Sequence, residues 1–177
     1  MRMNRVKVLC KERKTVLLLN ETSEDGELRR QWLSDGAAMW LITGLPTVSA
    51  DNLPTLLGLE SKQVESMKIS QQGFPEAYST EDKLYSDSAM EETAISLNLY
   101  GEEWLVMGGA GGAWLIPEKE LRPIRTEQCS MALRRTESGA PYAAVFDGLF
   151  LTGIIITGPS TMLNGSSRDI LRKLLAE

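Results

Sequence analysis

The sequence predicts an α+β protein made mainly of antiparallel β-hairpins gathered in one or two small sheets, with short helices and a C-terminal helix. Three observations carry that expectation. Short apolar runs alternate with polar residues at a period of two, turn pairs such as Asp35-Gly36 and Asp147-Gly148 separate them, and helical spacing is confined to brief segments.

From the start of the chain, Arg5 to Cys10 places Val6, Val8 and Cys10 on one face of an alternating strand. Lys11 to Lys14 supplies a turn, and Thr15 to Leu19 returns as a more fully buried strand, which makes a first hairpin. After the polar stretch Asn20 to Gly26, Leu28 to Leu33 and Ala37 to Ile42 flank Ser34, Asp35 and Gly36, residue types that tolerate positive φ in a tight turn. Ser49 to Gly58, with Pro54 in the first turns and Leu53, Leu56 and Leu57 as apolar positions, fits a helix of one or two turns. Another short helix is expected from Ser61 to Met67. Ile95, Leu97 and Leu99 alternate with polar residues, Gly101 to Glu103 turns into Trp104 to Met107, and Ala113 to Ile116 follows a glycine cluster. Tyr142 to Phe146 and Leu149 to Thr157 flank Asp147-Gly148, the strongest short hairpin signal in the chain. Ser166 to Asp169 forms a capping-box variant with Asp in place of Glu, and Ile170, Leu171, Leu174 and Leu175 mark the apolar face of a terminal helix.

These elements divide the chain into a β-rich half over residues 1–69, an acidic linker or surface loop over 70–93, and a second β-rich half with the terminal helix over 94–177. The 177 residues, 42% apolar and 24% charged, equally suit one continuous domain. Ala38 to Ile42 and Gly112 to Ile116 echo one another, each ending a hairpin and leading to a proline, Pro46 or Pro117. Two related β lobes are one reading of that echo; chance likeness of apolar strands is the other.

Two cysteines, Cys10 and Cys129, stand far apart in no metal-like spacing, which suits reduced thiols inside a cell. The basic first residues lack the apolar stretch and cleavage site of a signal peptide. The longest apolar run, Gly148 to Gly158, falls short of the roughly 20 residues of a membrane helix and reads as a buried strand. A protein of the cytoplasm of a bacterial host, with no membrane contact, is therefore expected.

The net charge of −5 conceals a polarity. Arg2, Arg5, Lys7, Lys11, Arg13 and Lys14 stand against Glu12 at the start, six bases to one acid. Glu76, Glu81, Asp82, Asp87, Glu91 and Glu92 stand against Lys83 in the centre, six acids to one base. Such faces keep a protein soluble, and the acidic one also suits a basic partner.

The sequence excludes much chemistry. It contains no histidine, which removes the commonest general base, the usual catalytic zinc sets and every nucleophile that relies on imidazole. Neither a Ser-x-x-Lys pair nor a Gly-x-Ser-x-Gly elbow occurs. The glycines of Met107 to Trp114 miss the dinucleotide fingerprint, because Ala113 and Trp114 stand where glycine is needed and a strand follows. No cofactor is expected. Asp35 and Asp147 lie at strand ends, where turn chemistry accounts for them; how the many acids pair in space is not legible. With an isoelectric point near 5.0 and no zinc module, direct DNA binding is not expected.

The stretch from Leu28 to Gly36, continuing to Gly44-Leu45-Pro46 and to Asn52 to Leu57, resembles small proteins carried by phages and mobile elements of gut Firmicutes. Some proteins of that kind are type II-A anti-CRISPR inhibitors. The resemblance implies a non-enzymatic, protein-binding inhibitor whose partner is a type II CRISPR effector nuclease with its guide RNA. Such an effector holds nucleic acid in basic channels, so the partner-binding residues expected are Glu76, Tyr78, Glu81, Asp82, Tyr85, Asp87, Glu91 and Glu92. The alternatives are a small-molecule or carbohydrate-binding β module, with Trp32, Trp40, Trp104 and Trp114 as stacking surfaces, a phage structural or scaffold component, and a carboxylate enzyme without a recognisable motif.

Overall fold

Helix α1 (Met3–Arg13) forms where the sequence predicts the first strand of a hairpin, and the reason is a choice between two periods. Val6, Val8 and Cys10 alternate, yet Val6, Leu9 and Cys10 also stand at the i, i+3, i+4 spacing of a helix. Burial follows the helical set: Val6, Leu9 and Cys10 are buried, while Val8 is 51% exposed. Of the turn expected over Lys11 to Lys14, the first three residues belong to the helix, and Lys14 alone turns the chain, closing the helix in the left-handed region at φ 51° with its N–H directed at the carbonyls of Cys10 and Lys11.

The structure, a computed structural model, describes residues 1–109, 112–159, 163 and 165. After α1 the described elements run β1 (Thr15–Thr22), β2 (Leu28–Ser34), β3 (Ala38–Leu41), α2 (Leu53–Leu56), α3 (Ser61–Ser66), β4 (Lys68–Gly73), β5 (Ser88–Leu99), β6 (Glu102–Gly109), β7 (Gly112–Pro117), α4 (Glu118–Leu121), β8 (Cys129–Arg135), β9 (Pro141–Asp147), β10 (Phe150–Ile156) and the two-residue β11 (Gly158–Pro159). All eleven strands join one sheet in the order β11-β7-β6-β5-β8-β9-β10-β3-β2-β1-β4.

This corrects the expectation of one or two small antiparallel sheets in an α+β fold: the chain is mostly β, and its single sheet is mixed. Hairpins are indeed its main units, but β1 and β4 pair in parallel, with Thr15 opposite Lys68 and Asn20 opposite Gly73. The two β-rich halves meet where β3 and β10 pair, with Trp40 opposite Gly153 and Ala38 opposite Ile155. Both strands are apolar on both faces and so take interior positions, which a solvated sheet edge would not favour. The expected terminal helix lies outside the described residues.

The sheet has two covered faces, and β9 shows them alternately. Ala143 and Val145 join one cluster with Val6, Leu9 and Cys10 of α1, Leu53 of α2, Leu121 of α4, Trp40 and Ile155. Tyr142, Ala144 and Phe146 join the opposite cluster with Leu19, Trp32, Met39, Leu151 and Ile154. Helices cover the first face. The second is covered by Phe74 and Tyr78, which belong to the acidic central segment.

Candidate functional site

The segment expected as a linker or surface loop begins inside β4 and ends inside β5, and between them residues 74–87 form a strap across the second face of the sheet. Two aromatic contacts seat it: Phe74 lies 5.3 Å from the Trp32 ring, and Tyr78 meets Tyr142 edge-on at 5.1 Å. Two arginines of the sheet then hold it. Arg30 of β2 donates from Nη1 to the Thr80 carbonyl at 2.6 Å and reaches Asp82 Oδ2 at 3.5 Å. Arg134 of β8 grips both oxygens of Asp87, at 2.6 and 2.8 Å, and donates to the Glu81 carbonyl at 2.9 Å. The other Asp82 oxygen accepts the Leu151 N–H at 2.9 Å. Burial alone would raise the Asp87 carboxyl, but the Arg134 hydrogen bonds and the Leu84 N–H overcome it and hold the group below the usual carboxylate range.

The eight residues expected to bind a partner therefore divide by role. Tyr78, Asp82 and Asp87 are half-buried and build the strap. Glu76, Glu81, Tyr85, Glu91 and Glu92 are exposed. Glu92 takes two hydrogen bonds from Arg125, at 2.7 and 3.0 Å. Glu91 and Glu92 stand on β5, beyond the strap, opposite Gly108 and Met107 of β6. Tyr85 is fully open to solvent. The arginines that place the strap escaped the sequence reading; the one signal for Arg134 was its position at the end of the apolar run Met131, Ala132, Leu133.

A second polar centre lies on the helix side of the sheet. Asp35 serves the β2–β3 turn as expected, its Oδ1 accepting the N–H groups of Ala37 and Ala38 at 2.9 and 3.1 Å. Its other oxygen lies 2.7 Å from Arg13 Nε, and the same guanidinium meets Glu120 Oε1 at 2.6 Å. Both carboxylate side chains are wholly buried. Glu120 Oε2 has no hydrogen-bond partner among the described residues. Burial and then the charge of Asp35 raise the Glu120 carboxyl to about 7, against the pull of Arg13. Burial, reinforced by the same two carboxylates, pushes the Cys10 thiol up to about 12, which leaves it an inert neutral group. Cys129 is likewise raised by burial.

The tryptophans offered as stacking surfaces are taken up inside. Trp32 and Trp40 are fully buried, Trp114 is 6% exposed, and Trp104 is half-buried against Val106, Ala113 and Leu115. Trp40 and Trp114, the centres of the two echoing strands, enter the same cluster. Among the described residues, no group of three or more His, Cys, Asp or Glu side chains is placed to hold a metal ion, and no helix is long and apolar enough to cross a membrane. No protein-family description, curated protein or solved structure matches the chain.

Proposed function

We propose that this chain acts by binding a basic protein surface through its acidic strap and the adjoining start of β5, which carries Glu91. The observation that carries the reading is the division of labour among the acids: Asp82 and Asp87 hold the strap in one shape, while Glu76, Glu81 and Glu91 are exposed and bear no ion pair among the described residues. A loop fixed in shape loses little conformational entropy on docking, and unpaired carboxylates beside an open tyrosine complement lysine and arginine. The finer reading rests on the resemblance of residues 28–57: the partner is a type II RNA-guided effector nuclease with its guide RNA, and docking in a basic channel blocks DNA cleavage in the host cytoplasm.

The test is a triple variant, Glu76→Lys, Glu81→Lys and Glu91→Lys, which leaves Asp82 and Asp87 in place. Binding to the purified effector is measured against salt concentration alongside target cleavage. The wild type is expected to bind and inhibit, with the folded variant losing both affinity and salt dependence. Inhibition by the variant equal to wild type would remove the strap as the contact, and no binding by the wild type would remove the effector as the partner.

A further inference from the structure

Two buried carboxylates share one guanidinium, and this arrangement carries one charge too many. Arg13 is 34% exposed at its side chain and reaches inward from the last turn of α1 to Asp35 and to Glu120 of α4. The charged and titratable groups around Glu120 are Arg13 and Cys10 on α1, Asp35 in the β2–β3 turn, and neighbouring Lys119 on α4, itself drawn off by Glu102 of β6 and Glu12. With one cation shared by two anions, the second oxygen of Glu120 is left buried and without a partner among the described residues, a costly state for a charged carboxylate and a mild one for a neutral acid. We propose that Glu120 is a proton-operated latch for α1: protonated, it lets the helix seat fully on the sheet, and ionised, it favours an open state in which α1 lifts and water reaches Glu120. Among the described residues the helix is otherwise tied by few polar contacts, namely Arg2 N–H to the Pro123 carbonyl at 2.7 Å, Lys7 Nζ to the Gly58 carbonyl at 2.6 Å and the half-exposed Glu12 to Lys119 Nζ at 3.7 Å.

The sign follows from the raised carboxyl. A group that ionises at its ordinary 4.5 in the open state and near 7 in the closed one favours closure below 4.5, and that preference drains away as pH climbs to about 7. Cys10 reports the opening, because it lies on the buried face of α1 itself, between the helix and the sheet. In a Cys129→Ser background, the rate of labelling Cys10 with a thiol reagent, divided by the rate for the same chain unfolded, measures the open fraction. It is expected to rise up to about tenfold per pH unit between pH 5 and 7 and to level off above. Glu120→Gln, which mimics the neutral acid, is expected to flatten that rise. An equal rise in the variant, or no rise in the wild type, overturns the proposal. Should the variant not fold, a carbon-13 titration of the wild-type glutamate carboxyls decides instead: one group titrating near neutrality supports the latch, and all titrating below about 5.5 sinks it.

Discussion

Arg134 holds Asp87 through two parallel contacts, Nε to Oδ1 at 2.6 Å and Nη2 to Oδ2 at 2.8 Å, while its own side chain is 1% exposed. A guanidinium this deep requires an anion, and the anion it receives belongs to the strap. Asp87→Ala strands the cation, so the variant is expected to lose about 3 kcal/mol of stability. Trypsin should then cut after Lys83, the exposed lysine of the strap, well before the sheet unfolds. Unchanged cleavage at Lys83 would show that Phe74 and Tyr78 hold the strap without this pair.

The strap also shows where sequence reasoning stops. Acidity, position and the absence of periodicity were all visible in residues 74–87, but the cations that bind them come from β2 and β8, 52 and 47 residues from their respective partners. Strand β8 itself went unseen because Met131, Ala132, Leu133 and Arg134 are buried in succession, which erases the period of two. Strand β4 was hidden for the opposite reason: as an edge strand it carries Ser70, Gln71 and Gln72 and needs little apolar surface. Hairpins with a local signal, Ser34-Asp35-Gly36 and Asp147-Gly148, were legible, and Gly36 and Gly148 do adopt positive φ, at 97° and 62°.

Lys14 adopts φ 51° at the end of α1, where a side chain costs backbone energy that glycine does not incur. Its backbone bonds do not depend on its side chain: the N–H reaches the Lys11 carbonyl at 3.2 Å and its carbonyl accepts the Lys68 N–H at 2.8 Å. Lys14→Gly is expected to stabilise the protein by roughly 0.5 to 1 kcal/mol. Urea unfolding checks it through a higher midpoint at unchanged slope. A lower midpoint would mean that the lysine side chain supports the helix end.

Trp40 links the echoing strand to α4, its indole N–H donating to the Glu120 carbonyl at 2.9 Å with both groups buried. Trp40→Phe keeps an aromatic ring in the cluster but leaves that carbonyl without its donor. A loss of about 1 to 3 kcal/mol is expected, measured by thermal or urea unfolding. The companion variant Trp104→Phe is the control: its indole nitrogen is buried without a hydrogen-bond partner among the described residues, so its removal should cost distinctly less.

Asp87 and Glu120 bend the stability curve in opposite directions. Asp87 is held below its ordinary 3.8, so its contribution is present above that value and is lost as pH falls through the lowered one. Glu120 is raised from 4.5 to about 7, so its contribution is present below 4.5 and is lost as pH rises to about 7. The two together place the greatest stability on the acid side of neutrality, between the acid limb governed by Asp87 and the decline governed by Glu120. Melting temperatures recorded from pH 3.5 to 8 should therefore peak below pH 7. Glu120→Gln should carry the peak toward neutrality, and Asp87→Asn should lower the whole curve while softening its acid limb. A wild-type melting temperature that still climbs between pH 6 and 8 would mean that the Arg13 guanidinium satisfies both carboxylates after all.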